Sequence, residues 1–197
     1  AIYVETLQPL LSARGPAVDA AFAAVETDDL NFYYALDFGG EPVAFNLRNA
    51  DRDEIAVAMA MAQGALSPAL FDDALEAFVS LADEHGFVAV VAYTPSAHTA
   101  YADYVRFEDP GLAPLMAGMS ATLREYFRGS AGRLGYFFLD LTEPLRETIA
   151  AQGPDRENQL LYGPVSIHYS VPGHRRVAEI LAEYLKQLPA AGHPDDP

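Results

Sequence analysis

Two short stretches hold the residue types that could do chemistry. The first is LLYGPVSIHYSVPGHRRVAEIL, residues 160–181, in which His168 sits in a loop just ahead of a helix. Ser170 can cap that helix and Pro172 suits its first turn, while Val177, Ile180, Leu181, Tyr184 and Leu185 recur at three- and four-residue intervals. A general base needs such a place, a mobile ring on a footing fixed by packing. A loop histidine also serves as a local hydrogen-bonding group, so His168 alone does not decide between these roles. The second stretch is VVAYTPSAHTAY, residues 90–101, with Ser96, His98 and Tyr101 directly after an apolar run. Ser96 fits three roles: a turn cap, a substrate-lining hydroxyl, or a nucleophile. Asp140 closes a third run, FFLD, and fits either a cap for the helix beginning at Thr142 or the acid that orients His168.

The elements that must position these residues follow from periodicity. The valine-rich run 87–93 reads as a strand buried on both faces, and 135–139 as a second strand of the same kind. Helices are expected over about 51–64, from Ser67-Pro68 to Gly86, over 113–127, over 142–151 and over 172–187. Such alternation predicts an α/β layered fold with parallel strands. In such folds reactive groups gather at the carboxyl ends of the strands, where the three stretches can converge. Ahead of this, residues 1–30 read as two helices split at Gly15-Pro16. Two aromatic runs flanking Gly39-Gly40 then read as a hairpin with a two-residue turn, either added to the main sheet or covering a cleft. The Met-Ala pattern around Met59 and Met61 reads as core packing.

Composition narrows the function classes. The 197 residues suffice for a sizeable core, and 28 acids against 12 bases give a formal charge of −16. Such a surface repels phosphate backbones and anionic headgroups, which argues against nucleic acid as a partner. No cysteine is present, and no histidine–carboxylate spacing points to a metal site; no cofactor signature appears either. His174 reads as structural, His85 as an exposed helix end, and His193 as part of a loose tail, residues 189–197.

The three stretches, in this order, resemble the SGNH (GDSL-type) hydrolases, and among them the bacterial branch similar to alginate-acetylation proteins. The closing His-x-x-x-Pro-Gly-His block carries most of the resemblance, which spans about residues 67–188; residues 1–66 then form an N-terminal addition. The resemblance implies a three-layer α/β sandwich of the SGNH/flavodoxin-like kind, with parallel central strands. It implies an ester hydrolase or acyltransferase acting on a small-molecule or carbohydrate ester, with His168 as general base and Ser96, His98 and Tyr101 lining the substrate, and it favours an extracytoplasmic location. Two departures stand against it: no Gly-Asp-Ser nucleophile block occurs, and Val165 occupies the place where the family carries an aspartate three residues before its histidine. A sandwich of this class needs about four or five strands and two are read here. Further strands are expected either upstream of Ala1 or from a second polypeptide, unless residues 1–66 replace them. The alternative function is a non-catalytic module that kept the fold and binds a carbohydrate or a partner protein.

Overall fold

Aromatic and β-branched residues on either side of Gly39-Gly40 pair as an antiparallel hairpin, β1 (Tyr33–Leu36) with β2 (Val43–Asn46). The computed structural model describes residues 33–46, 50–153, 158–164 and 168–188. The two helices expected over residues 1–30 and the tail 189–197 lie outside them. The hairpin connection is wider than the expected Gly-Gly turn, because Leu36 pairs with Val43. Asp37 opens it by accepting a hydrogen bond from the Gly39 amide at 2.9 Å, and Gly39 itself takes φ +92°, where a side chain would be strained. A strand not anticipated from the sequence, β4 (Val105–Phe107), pairs antiparallel with β1, giving a three-stranded sheet in the order β2-β1-β4. It is short and carries Arg106 between two apolar residues, too little alternation to register as a strand.

The central helix is α1 (Ala50–Ala62). Ile55, Ala56, Val57 and Ala58 are all buried, and four consecutive positions cover the full circumference of a helix, so this stretch of α1 is enclosed on every side. Small alanines allow this close approach. Ser67 then caps a 3-10 turn, Pro68–Phe71, that leads into α2 (Asp72–His85), whose Leu75, Phe78 and Ala82 face inward. After β4 comes α4 (Leu112–Leu134), longer than its periodicity suggested. Met116, Met119, Leu123 and Phe127 lie along its buried face. It packs on α1. A single core cluster draws on both sides of residue 66, joining Leu36, Phe45 and Ile55 to Leu141, Leu145 and Ile149. Each such side chain contributes about 1.5–3 kcal/mol through burial.

The parallel pair is present: β3 (Val90–Tyr93) runs beside β5 (Phe137–Asp140), with Val91 opposite Phe138 and Tyr93 opposite Asp140. The expectation that these strands are buried on both faces does not hold. Within β3 only Val91 is buried, Phe87 ahead of it is 40 % exposed, and Phe137 at the start of β5 is 37 % exposed. The physical reason is that, among the described residues, each strand has one neighbour and so too little cover. The chain is thus a mixed α/β structure of six helices, a small antiparallel sheet and a two-strand parallel sheet among the described residues. None of its described helices is long and apolar enough to cross a membrane.

Two helices follow β5. The first, α5 (Thr142–Ala151), buries Thr142, Leu145 and Ile149. The second, α6 (Val171–Gln187), is capped by Ser170, whose hydroxyl accepts from the Gly173 amide at 3.2 Å. Val177, Ile180, Leu181 and Tyr184 pack against the core, as the spacing predicted, but Leu185 stays 52 % exposed. Tyr184 reaches β5, its hydroxyl donating to the Phe138 carbonyl at 3.1 Å. The first turn of α6 seats directly on the backbone of Leu161, where a Cβ on Gly173 would stand 1.9 Å from the Leu161 carbonyl oxygen. Gly173→Ala should therefore push α6 off its seat and destabilise the protein by about 1–3 kcal/mol, the usual scale of overpacking. Denaturant unfolding measures it, and an unchanged midpoint would contradict the close approach.

Candidate active site

The chain leaves β3 through Thr94 and Pro95 and turns into α3 (Ala97–Ala100), a single turn of helix preceded by Ser96. Every residue of α3 is buried, as is Tyr101 after it. Ser96 keeps partial exposure, whereas His98 is 4 % exposed and Tyr101 is 0 % exposed. Of the three residues expected to line a substrate, Ser96 is thus the one at a surface, and His98 and Tyr101 form the footing of the turn.

That footing rests on Glu54, an acid near the start of α1. The Ser96 hydroxyl donates to Glu54 Oε1, and the same oxygen lies 3.3 Å from His98 Nε2. Tyr34 meets the His98 ring edge-on at a centroid distance of 6.0 Å, Phe107 packs at 5.8 Å, and Nδ1 lies 3.3 Å from the Thr99 hydroxyl. Burial pushes the Glu54 carboxyl up, but the charge of His98 and the hydrogen bonds from His98 and Ser96 outweigh it and hold the group below the usual carboxylate range. The sequence signal for Glu54 was faint, one acid bordering the Ile-Ala-Val-Ala run of a helix otherwise read as core.

The His168 segment is fastened to the same turn. Tyr162 donates its hydroxyl to the Pro95 carbonyl at 2.7 Å, and the Leu161 amide donates to the Tyr101 hydroxyl at 2.8 Å. Tyr162 and Tyr169 form an antiparallel bridge, flanked by Gly163 N–H to His168 C=O at 3.1 Å and Ser170 N–H to Leu161 C=O at 2.9 Å. His168 lies at the exposed end of this bridge, and Val165, at the family's aspartate position, lies outside the described residues. The rings of Tyr101, Tyr162, Tyr169 and His174 meet in succession, edge-on, tilted and edge-on, at centroid distances of 6.2, 4.7 and 5.8 Å. Burial raises the Tyr101 phenol to about 12 and Tyr162 well above its ordinary value, so both stay protonated hydrogen-bonding groups at neutral pH.

Asp140, at the end of β5, accepts from Arg124 Nε at 2.6 Å, from Arg128 Nη2 at 3.1 Å and from the Thr142 amide at 3.0 Å. These bonds tie the start of α5 to α4; burial pushes the Asp140 carboxyl up, but the bonds from Thr142 and Arg124 outweigh it and hold it below the usual range. Arg146 on α5 donates through Nε and Nη2 to the Thr99 carbonyl, at 3.1 and 3.0 Å, closing the underside of the turn. Among the described residues no cluster of three or more histidines and acids could hold a metal ion. Comparison with models of protein families, with curated proteins and with solved structures found no match.

Two stability predictions follow from these bonds. Tyr162→Phe leaves the buried Pro95 carbonyl without this donor and should cost about 1–3 kcal/mol, read by urea unfolding; a neutral effect would mean that the two segments are not joined there. Glu54→Gln should cost about 1–3 kcal/mol at pH 7, the scale for buried hydrogen bonds that lose a charged acceptor. Because the folded carboxyl titrates below its unfolded value of about 4.3, this contribution is complete above that pH and is lost as pH falls through the lower folded value. The gap between wild type and Glu54→Gln should therefore shrink on acidification below about pH 4. An equal gap at pH 7 and pH 3 would contradict an ionised Glu54 in the folded protein.

Proposed function

We propose that this chain carries an SGNH-type ester-hydrolase or acyl-transfer site, acting on a small-molecule or carbohydrate ester, with His168 as general base. The observation that supports it best is the fastening of the exposed His168 segment to the turn at the carboxyl end of β3, through Tyr162 to Pro95 and Leu161 to Tyr101. That is the edge of a parallel sheet where α/β enzymes gather their reactive groups. In the proposed reaction His168 takes the proton of a hydroxyl nucleophile as its oxygen attacks the ester carbonyl. It returns the proton to the leaving alcohol and then activates water or an acceptor hydroxyl to release the acyl group. Ser96, partly exposed beside this edge, lines the substrate.

In the same reading the fold is of the three-layer SGNH kind. Further polypeptide would add strands beside β3, which has β5 as its one partner among the described residues. One observation favours a non-catalytic binding module instead: the Ser96 hydroxyl is committed to Glu54.

The test uses the chain together with the further polypeptide that this reading requires, and a chromogenic acetyl ester. His168→Ala should lower kcat/KM at least about a hundredfold, the scale of a lost general base, with the unfolding midpoint unchanged. Equal turnover in the two proteins, or none in either, sinks the hydrolase reading. Retained binding of an acetylated oligosaccharide under those conditions would favour the module.

A further inference from the structure

A carboxylate placed against the enclosed part of α1 needs a reason, because taking it out of water costs several kcal/mol that apolar packing would avoid. Glu54 is followed directly by Ile55, Ala56, Val57 and Ala58, all at most 2 % exposed, and its own side chain is 15 % exposed. Its oxygen Oε1 faces two residues of a single turn, Ser96 and His98. That turn in turn holds Leu161 and Tyr162, and those residues pair with His168, Tyr169 and Ser170. A contiguous set of hydrogen bonds therefore runs from the central helix to the loop carrying His168.

We infer that Glu54 is the positioning residue of the site: by holding Ser96 and His98 it fixes the 94–101 turn, and through Tyr101 and Tyr162 it sets the place of His168. The inference rests on the reading of His168 as a base, but its first test does not need turnover. A hydrophobic residue at 54 would anchor α1 equally well in the core; a carboxylate also fixes the orientation of what it binds. Spatial continuity alone does not establish coupling, so the decisive observable is local opening at the far end of the bonds.

The experiment is amide hydrogen exchange on the full chain, comparing wild type with Glu54→Gln. Exchange at Tyr101, Leu161, Gly163 and Ser170, whose amides donate the bonds described above or close α3, should rise at least about tenfold, a local opening of the loop. Amides within α2 and α4 should rise only by the factor that the loss of global stability measured by unfolding accounts for. Unchanged exchange at Leu161 and Gly163 would overturn the inference. So would a rise at the four loop amides no larger than that global factor, since it would assign Glu54 to global stability alone. If Glu54→Gln does not fold, Ser96→Ala removes one of the two contacts and is read by the same amides and the same criteria.

Kinetics supply a second, separable readout. Glu54→Gln should lower kcat on the acetyl ester about tenfold or more, and adding it to His168→Ala should cost little beyond His168→Ala alone, because a residue acting through another has nothing left to position. Fully additive losses would overturn the route through His168. A parent without turnover would sink the hydrolase reading, while the exchange result still decides whether Glu54 positions the loop.

Discussion

The structure depends on how one buried negative charge is compensated. Glu54 sits where α1 enters its enclosed stretch, and a carboxylate there is tolerated only if hydrogen-bonded or paired. Both partners that meet it, the Ser96 hydroxyl and the His98 ring, come from the turn after β3. In this arrangement that turn is pressed onto α1, and the aromatic rings of Tyr34 and Phe107 close around His98. A nonpolar contact would let the turn slide by an ångström at little cost, whereas a charged, directional one does not. The antiparallel sheet, the central helix and the parallel pair thereby meet at one point, and the loop of His168 is built outward from it.

Much of the scaffold was legible because its signals are periodic. The helices over 142–151 and 172–187 have clear three- and four-residue stripes and capping residues, and they stand where the spacing put them to within a residue. The pairing of 90–93 with 137–140 in parallel followed from helix–strand alternation. The depth of burial did not follow, because composition reports how apolar a strand is and not how many neighbours cover it. Val90, Ala92 and Phe137 carry the same apolar character whether covered or not. The width of the hairpin connection was equally hidden. Asp37 outcompetes the Gly39-Gly40 pair by forming its own turn, a local hydrogen bond that wins over turn propensity.

The candidate site was half legible. Ser96, His98 and Tyr101 stand out as a polar cluster at the end of an apolar run, yet the sequence does not say which of them face outward. The structure turns His98 and Tyr101 into the core and leaves Ser96 at the surface. Glu54 escaped notice because its partners are 42 residues away for Ser96, and no local pattern links an acid on a helix to a turn so distant. Tyr162 and Arg146 were missed for the same reason: each acts by reaching a backbone carbonyl, at Pro95 and Thr99, and a carbonyl leaves no mark in a sequence.

Charge then bears on what the site would accept under the proposed reading. The chain carries 12 basic residues against 28 acids, and several of the cations are held in pairs or hydrogen bonds. Arg124 and Arg128 hold Asp140, Arg133 holds Asp72, Arg146 holds Thr99 and Glu143, and Arg176 bonds Thr148 and Glu179. What remains facing solvent is a strong excess of negative charge, felt over about 8 Å at physiological ionic strength. A substrate bearing carboxylates or phosphates meets repulsion before it reaches the edge beside Ser96 and His168. A neutral acylated sugar or small ester meets none. Pairing does not alter this balance, because each arginine–carboxylate pair removes one charge of either sign; the excess of 28 acids over 12 bases sets the field that an approaching ester would meet.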